Sequence, residues 1–420
     1  MPVHADSKAT PAILRYVVAG SDFLARHRKP LLLLMVIIML AEGARVAWRG
    51  KVGDFGPVLG AINRLAAGQD LYVPNPDGPA YVYSPLFALI LAPLHILPDV
   101  AIRFLWYLAS WATLVFSWVL SRKIIFEARA SAISPPKGFW LLAIVPIAYF
   151  PYYNALNGQS TPLMMMLVLL SYQLELSSKP VLSGLSLATS MLIKPFPVIF
   201  LAFYLLRRRF KVCLSALFFL LLYMIVPVLY FRSSFKSVLA SWFRVTEQQQ
   251  TLYDISSWGH QSISSFWYRL LGRQHPPFLV TDPSDIAFWT IWLSIGAIVG
   301  VTVFLTIRSA RPDSTREDQH IVFALYLLCW ALLPPTAWKH YYVVLLFPCA
   351  LLAHFALETS VASARACRNV LIFLLLGIIL LHIKPAGHMR LFYDLSLCVI
   401  MALSVFVTLS RKSLHAARGS

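Results

Sequence analysis

The chain returns again and again to apolar runs that are too long and too poor in charge for a water-facing fold. Pro30–Ala41, Leu141–Phe150, Leu214–Leu229 and Val370–Leu381 are the clearest of them. Charged residues make up 13% of the 420 positions, against roughly a quarter in a soluble globular domain. The twelve Trp and eighteen Tyr suit the aromatic belts of two membrane–water interfaces. These features imply an all-α polytopic membrane protein. They exclude a soluble enzyme, a disordered chain and a disulfide scaffold.

The formal net charge of +18 invites a nucleic-acid reading, but the basic residues sit at the ends of apolar runs. Arg26, Arg28 and Lys29, then Arg122 and Lys123, then Arg207–Lys211, then Arg411 and Lys412 are placed as topology signals. Such clusters favour anionic lipid head groups, so membrane lipids are expected partners and nucleic acid is not. The five cysteines lack CxxC pairing and read as small buried hydrophobes.

About 20 apolar residues are needed to cross the hydrocarbon. That ruler predicts about twelve transmembrane helices, near 30–48, 100–121, 138–156, 161–176, 180–193, 195–206, 212–231, 286–307, 320–337, 341–358, 369–384 and 391–409. Ile193-Lys194-Pro195-Phe196-Pro197 interrupts the stretch 180–206. Two short limbs are preferred there, because a single crossing would put Arg207–Lys211 outside, against the positive-inside rule. With alternating spans, residues 1–29 form a cytoplasmic N-terminal segment ahead of an uncleaved first anchor. Residues 30–409 form the integral domain and 410–420 a basic cytoplasmic tail. Exterior loops fall near 49–99 and 232–285, and Pro85–Leu97, too short to span, is expected as an interfacial or re-entrant helix.

The unusual polar residues gather on the exterior side of this topology. Asp54 follows the first span; it suits an N-cap or a general base taking a proton from a hydroxyl. Tyr81, Tyr83, Ser84 and Pro85 open the apolar piece as an aromatic anchor and a Pro-capped start. Asn154, Asn157, Gly158 and Gln159 suit a turn, and their amides can hydrogen-bond sugar hydroxyls. Lys194 is either a snorkelling lysine or a point charge for a lipid phosphate. Lys339 and His340 sit among belt aromatics and offer a phosphate contact. His260, in Trp258-Gly259-His260-Gln261-Ser262, is better explained structurally. No HExxH, Walker, GxSxG or EF-hand pattern occurs, so energy for chemistry has to arrive with an activated substrate.

The order of Asp54, GQDLY, YSPLFALILAPLHILP, NGQSTPL, SGLSLATSMLIKPFP and WKHYYVVLLFP resembles glycosyltransferase family 87, of the glycosyltransferase-C superfamily, from about residue 40 to 355. Ser84-Pro85 stands where members often carry two prolines. The resemblance implies a glycosyltransferase-C-like membrane enzyme of the cell envelope. Its donor would be a polyprenyl-phosphate monosaccharide, mannose favoured, and its acceptor a glycolipid or glycan. It implies Asp54 as the essential acidic residue of the first exterior loop and His340 near the donor phosphate, and Lys194, Asn157 and Gln159 match its blocks; Lys339 and His260 join these as donor-binding candidates on the residues alone. No cofactor or metal is expected. The expected site is the integral plasma membrane, with both termini cytoplasmic and the active site on the exterior, periplasmic side. A transporter or flippase of lipid-linked sugars and a non-enzymatic envelope-complex subunit are the rival classes.

Overall fold

The computed structural model describes residues 12–50, 53–75, 79–126, 135–251, 259–271, 286–357, 361–382 and 396–416. Parts of the expected N-terminal segment, both exterior loops, the last two spans and the basic tail lie outside the described residues, as does Trp258. The described chain is helical, with an isolated antiparallel bridge between His260 and Trp338.

Six helices among the described residues are long and apolar enough to cross a membrane: Arg28–Arg49, Asp99–Phe126, Phe210–Gln248, Ile286–Ser309, Lys339–Ala356 and Leu397–Leu414. A seventh arises if Phe139–Ile147 and Tyr149–Leu156, bent by 53°, form one span. This supports an all-α membrane protein but corrects the expected count of about twelve. The expected breaks are present, but the pieces they leave are short. Between Thr161 and Leu206 the chain is cut into Thr161–Leu176, Pro180–Ile193 and Phe196–Leu206, each below the ~20 residues a crossing needs. The cuts fall at Ser178, in the left-handed region with φ 59°, and at Lys194, an extended residue ahead of Pro195. Arg316–Leu332 likewise ends after 17 residues, just before Pro334-Pro335.

The helices divide into a lipid-facing shell and a protein core. In the apolar window of Arg28–Arg49 only 17% of residues are buried, against 94% for Lys339–Ala356. The latter is therefore surrounded by protein, and its first seven residues, Lys339–Leu345, wind as a 3-10 helix. Leu214, Phe218, Leu221 and Leu229 on the Phe210–Phe231 helix are exposed and present an apolar face. All five cysteines are buried, and none is joined in a disulfide.

Thr161–Leu176 and Pro180–Ile193 form a helical hairpin stitched by side chains. Ser183 Oγ donates to the Ser171 carbonyl at 2.8 Å, Ser186 Oγ to Leu167 at 2.8 Å and Ser190 Oγ to Met164 at 3.0 Å. The spacing of three and four residues keeps these hydroxyls on one helix face. On another face, a Cβ at Gly184 would meet Ala216 N and Val212 O at 2.7 Å. Only a glycine permits this approach to the Phe210–Phe231 helix, as in small-residue packing elsewhere in membranes.

At the far end of the hairpin lies an ionic cluster in which Glu175 and Arg207 are buried and Arg209 is half-exposed. Glu175 Oε1 accepts from Arg209 Nε at 2.6 Å, and its Oε2 lies 4.0 Å from Arg207 Nη1. Arg207, with a side chain 2% exposed, also donates to Gln319 Oε1 at 2.7 Å. This joins the hairpin to the start of the Arg316–Leu332 helix. Next to it, Tyr172 Oη bonds His320 Nδ1 at 2.9 Å.

Candidate functional site

At the opposite end of the hairpin the turn 154–161 organises a polar cluster. Gly53, at φ +43°, lets the chain enter the Phe55–Ala66 helix. A Cβ there would lie 2.9 Å from the Asn157 carbonyl oxygen, so the close approach and the left-handed backbone both require glycine. The next residue, Asp54, donates its backbone N–H to that carbonyl at 3.2 Å. Asp54 occupies the N-cap position but makes no side-chain cap bond. Its Oδ2 instead accepts from Gln159 Nε2 at 2.5 Å, and Oδ1 has no such donor among the described residues. The side chain is thus withdrawn from capping and presented to the cluster.

The turn is fixed from several sides. Asn154 Nδ2 donates to the Phe150 carbonyl at 2.8 Å and to the His340 carbonyl at 2.9 Å. Asn157 Nδ2 donates to Tyr153 O at 2.8 Å, and Trp106 Nε1 to Gly158 O at 2.9 Å. Trp106 stacks on Phe55 with ring centroids 4.6 Å apart and meets Phe87 edge-on at 6.3 Å. One aromatic wall therefore runs behind the turn and behind Asp54.

Across the cluster lies Lys194, half-buried at the break between the two limbs. Its Nζ sits over the Tyr83 ring, 4.6 Å from the centroid. A cation over a tyrosine face is stabilised by the ring quadrupole, which keeps the ammonium at the site and away from a snorkelled pose. Tyr83 belongs to an extended strip held by three neighbours: Tyr72 Oη donates to Tyr83 O at 2.7 Å, Tyr81 Oη to Ser84 O at 2.9 Å and Trp242 Nε1 to Val82 O at 3.0 Å. Burial pushes the phenols of Tyr72 and Tyr81 up, so both remain protonated donors. Ser84 then caps Pro85–Leu91, accepting from Phe87 N at 3.3 Å, with Pro85 in the first turn. The expected short helix is present, continued by a 3-10 turn over Ala92–Ile96.

His340 completes the arrangement. It interacts electrostatically with both Asp54 and Lys194, and its buried Nε2 has no hydrogen-bond partner among the described residues. Tyr341 packs against Phe196 at 5.1 Å and also feels Lys194 and Asp54. The structure thus brings Asp54, Asn157, Gln159, Lys194 and His340 together. It sends Lys339, 9% exposed, towards Cys398 of the Leu397–Ala416 helix. His260 is fully buried; its ring lies 4.5 Å from that of Trp338 and its carbonyl accepts from Arg269 at 2.8 Å. Gln261 N bonds Ala337 O at 2.5 Å. The His260 segment therefore braces the chain just before Lys339.

Tyr83, Trp106 and Gly53 were not singled out for the site by sequence. Asn154 was offered only with its turn, as one of the amides able to hydrogen-bond sugar hydroxyls, and Tyr83 as an aromatic anchor. A carboxylate, a cation, an imidazole and several amides around one space suit a hydroxyl-rich anionic ligand. Among the described residues no three His, Cys, Asp or Glu side chains gather as a cation cage.

The model of glycosyltransferase family 87 matches residues 81–319, more than half of the 420-residue chain. The matched segment carries Tyr83, the 154–161 turn and Lys194; Asp54 and His340 flank it. No curated protein matches the chain.

Proposed function

The chain belongs to glycosyltransferase family 87 and is a membrane glycosyltransferase, and from this premise we propose that it moves a monosaccharide, mannose favoured, from a polyprenyl-phosphate donor to a hydroxyl of a glycolipid or glycan. The observation that carries the reading is the meeting of Asp54, Lys194 and His340 within electrostatic reach of one another. The acceptor oxygen attacks the anomeric carbon as the bond to the donor phosphate breaks. Asp54 takes the acceptor's proton and the phosphate leaves with the bonding electrons; a single attack on the face opposite the phosphate inverts the configuration. Charge grows on the phosphate oxygens during this step. A fixed ammonium at Lys194 and a ring N–H at His340 stabilise that charge more than the ground state. Asn157 offers an amide to the sugar.

The exposed apolar helices beside the cluster provide a surface for the polyprenyl tail, with the site at the non-cytoplasmic face of the plasma membrane and both termini in the cytoplasm. The donor carries its own leaving group, so the scheme uses no resident metal. The test is transfer of radiolabel from a panel of polyprenyl-phosphate monosaccharides to membrane glycolipids by purified protein in lipid. Transfer from one donor supports the reading. Transport of a lipid-linked sugar without transfer would replace it.

Gly53→Ala tests the geometry. The new Cβ would crowd the Asn157 carbonyl, and the left-handed backbone costs about 1 kcal/mol without glycine. Transfer should fall at least tenfold while the unfolding temperature drops by only a few degrees. Equal loss of both would point to general unfolding.

A further inference from the structure

We propose that Gln159 is a positioning residue for Asp54, holding one carboxylate oxygen through its amide N–H so that the other faces the acceptor hydroxyl; this rests on the assignment of Asp54 as the base. The sequence reading offered Gln159 as a sugar-binding amide. The geometry points its N–H groups elsewhere. An ionised carboxylate only accepts hydrogen bonds, so the 2.5 Å contact with Asp54 Oδ2 fixes which end of the amide faces it. Oε1 is then turned away, buried and without a donor among the described residues.

Gln159 itself cannot drift. It is 3% exposed, its backbone N–H bonds Asn154 O at 3.1 Å, and the following Ser160 Oγ bonds Tyr83 Oη at 3.3 Å. Asp54 is tied to the same turn through Asn157. A free aspartate would rotate about two side-chain torsions, whereas one bound oxygen leaves a single presented one. Orientation of this kind is a large part of what separates a catalytic base from a loop carboxylate. The other charged or titratable groups facing Asp54 are Tyr153, Lys194, His340 and Tyr341.

Two substitutions separate the donor role from the acceptor role. Gln159→Glu keeps the volume and an acceptor but removes the N–H. Gln159→Leu removes both. If Gln159 positions Asp54, Glu is at least as damaging as Leu, because a second carboxylate repels the first. Each should lower kcat about a hundredfold, with KM for polyprenyl-phosphate mannose changed less than about threefold. If the side chain instead accepts from a sugar hydroxyl, Glu is the milder change and KM rises, which overturns the proposal.

Infrared difference spectroscopy on purified protein in lipid supplies a readout without turnover. The carboxylate bands removed by Asp54→Asn should shift in Gln159→Leu, since a bound oxygen loses its donor. Unshifted bands overturn the proposal whether or not any sugar is transferred. Shifted bands together with full transfer by Asp54→Asn would remove the base assignment, and the proposal with it.

Discussion

Asp54→Asn should lower sugar transfer by about a thousandfold while leaving the protein folded and the donor bound. A positioned general base contributes roughly 10²–10⁴ in rate, and asparagine keeps the volume of aspartate. The amide oxygen introduced by the substitution can still accept from Gln159 Nε2, the partner of Asp54 Oδ2. What faces the acceptor is then an NH2 group that cannot take a proton. The loss should therefore fall on kcat, with KM for the donor nearly unchanged. Single-turnover transfer from radiolabelled donor, run beside thermal unfolding in detergent, measures both. Undiminished transfer would remove Asp54 from the chemistry.

The largest loss of stability is expected away from the site, at Glu175→Leu. Glu175 is the carboxylate facing Arg207, whose side chain is 2% exposed. Removing it leaves a buried guanidinium, hydrogen-bonded to Gln319, without the carboxylate 4.0 Å away that balances its charge. Breaking a buried ion pair from one side costs about 3–5 kcal/mol, whereas replacing both partners by apolar groups is often near neutral. Thermal unfolding of Glu175→Leu should show this loss, and the double variant Glu175→Leu/Arg207→Leu should recover most of it. A single-variant loss below about 1 kcal/mol would mean that water reaches Arg207.

These two sites differ in how far sequence exposes them. The class of protein follows from apolar runs, and the cut at Lys194 follows from Pro195, because both are local properties. Asp54 stands out as a carboxylate after a span. Its bond to Gln159 does not, because 105 positions separate them and only the tertiary fold closes that distance. Arg207 is harder still. In sequence it is one of three consecutive arginines and reads as a topology signal, yet Arg208 is exposed and Arg207 is buried. Nothing in a basic run tells which member turns inward. The span count failed for another reason: the breaks around Pro180–Ile193 were legible, but the short pieces between them were counted as crossings. Pro180–Ile193 ends after 14 residues, below the ~20 a crossing needs.

The serine-stitched hairpin also sets a distance. Gln159 and Ser160 enter its first helix and Lys194 leaves its second, so all emerge at the same end. The proposed partner of the base and the proposed phosphate cation are thus two points on one gauge block, about 20 Å long by helical rise. Tilting the block would carry both together and preserve their spacing, while Asp54 and His340 approach from other parts of the chain. One residue inserted between Ser183 and Ser190 would turn Lys194 by about 100° relative to Gln159 and undo that calibration without altering any residue of the cluster.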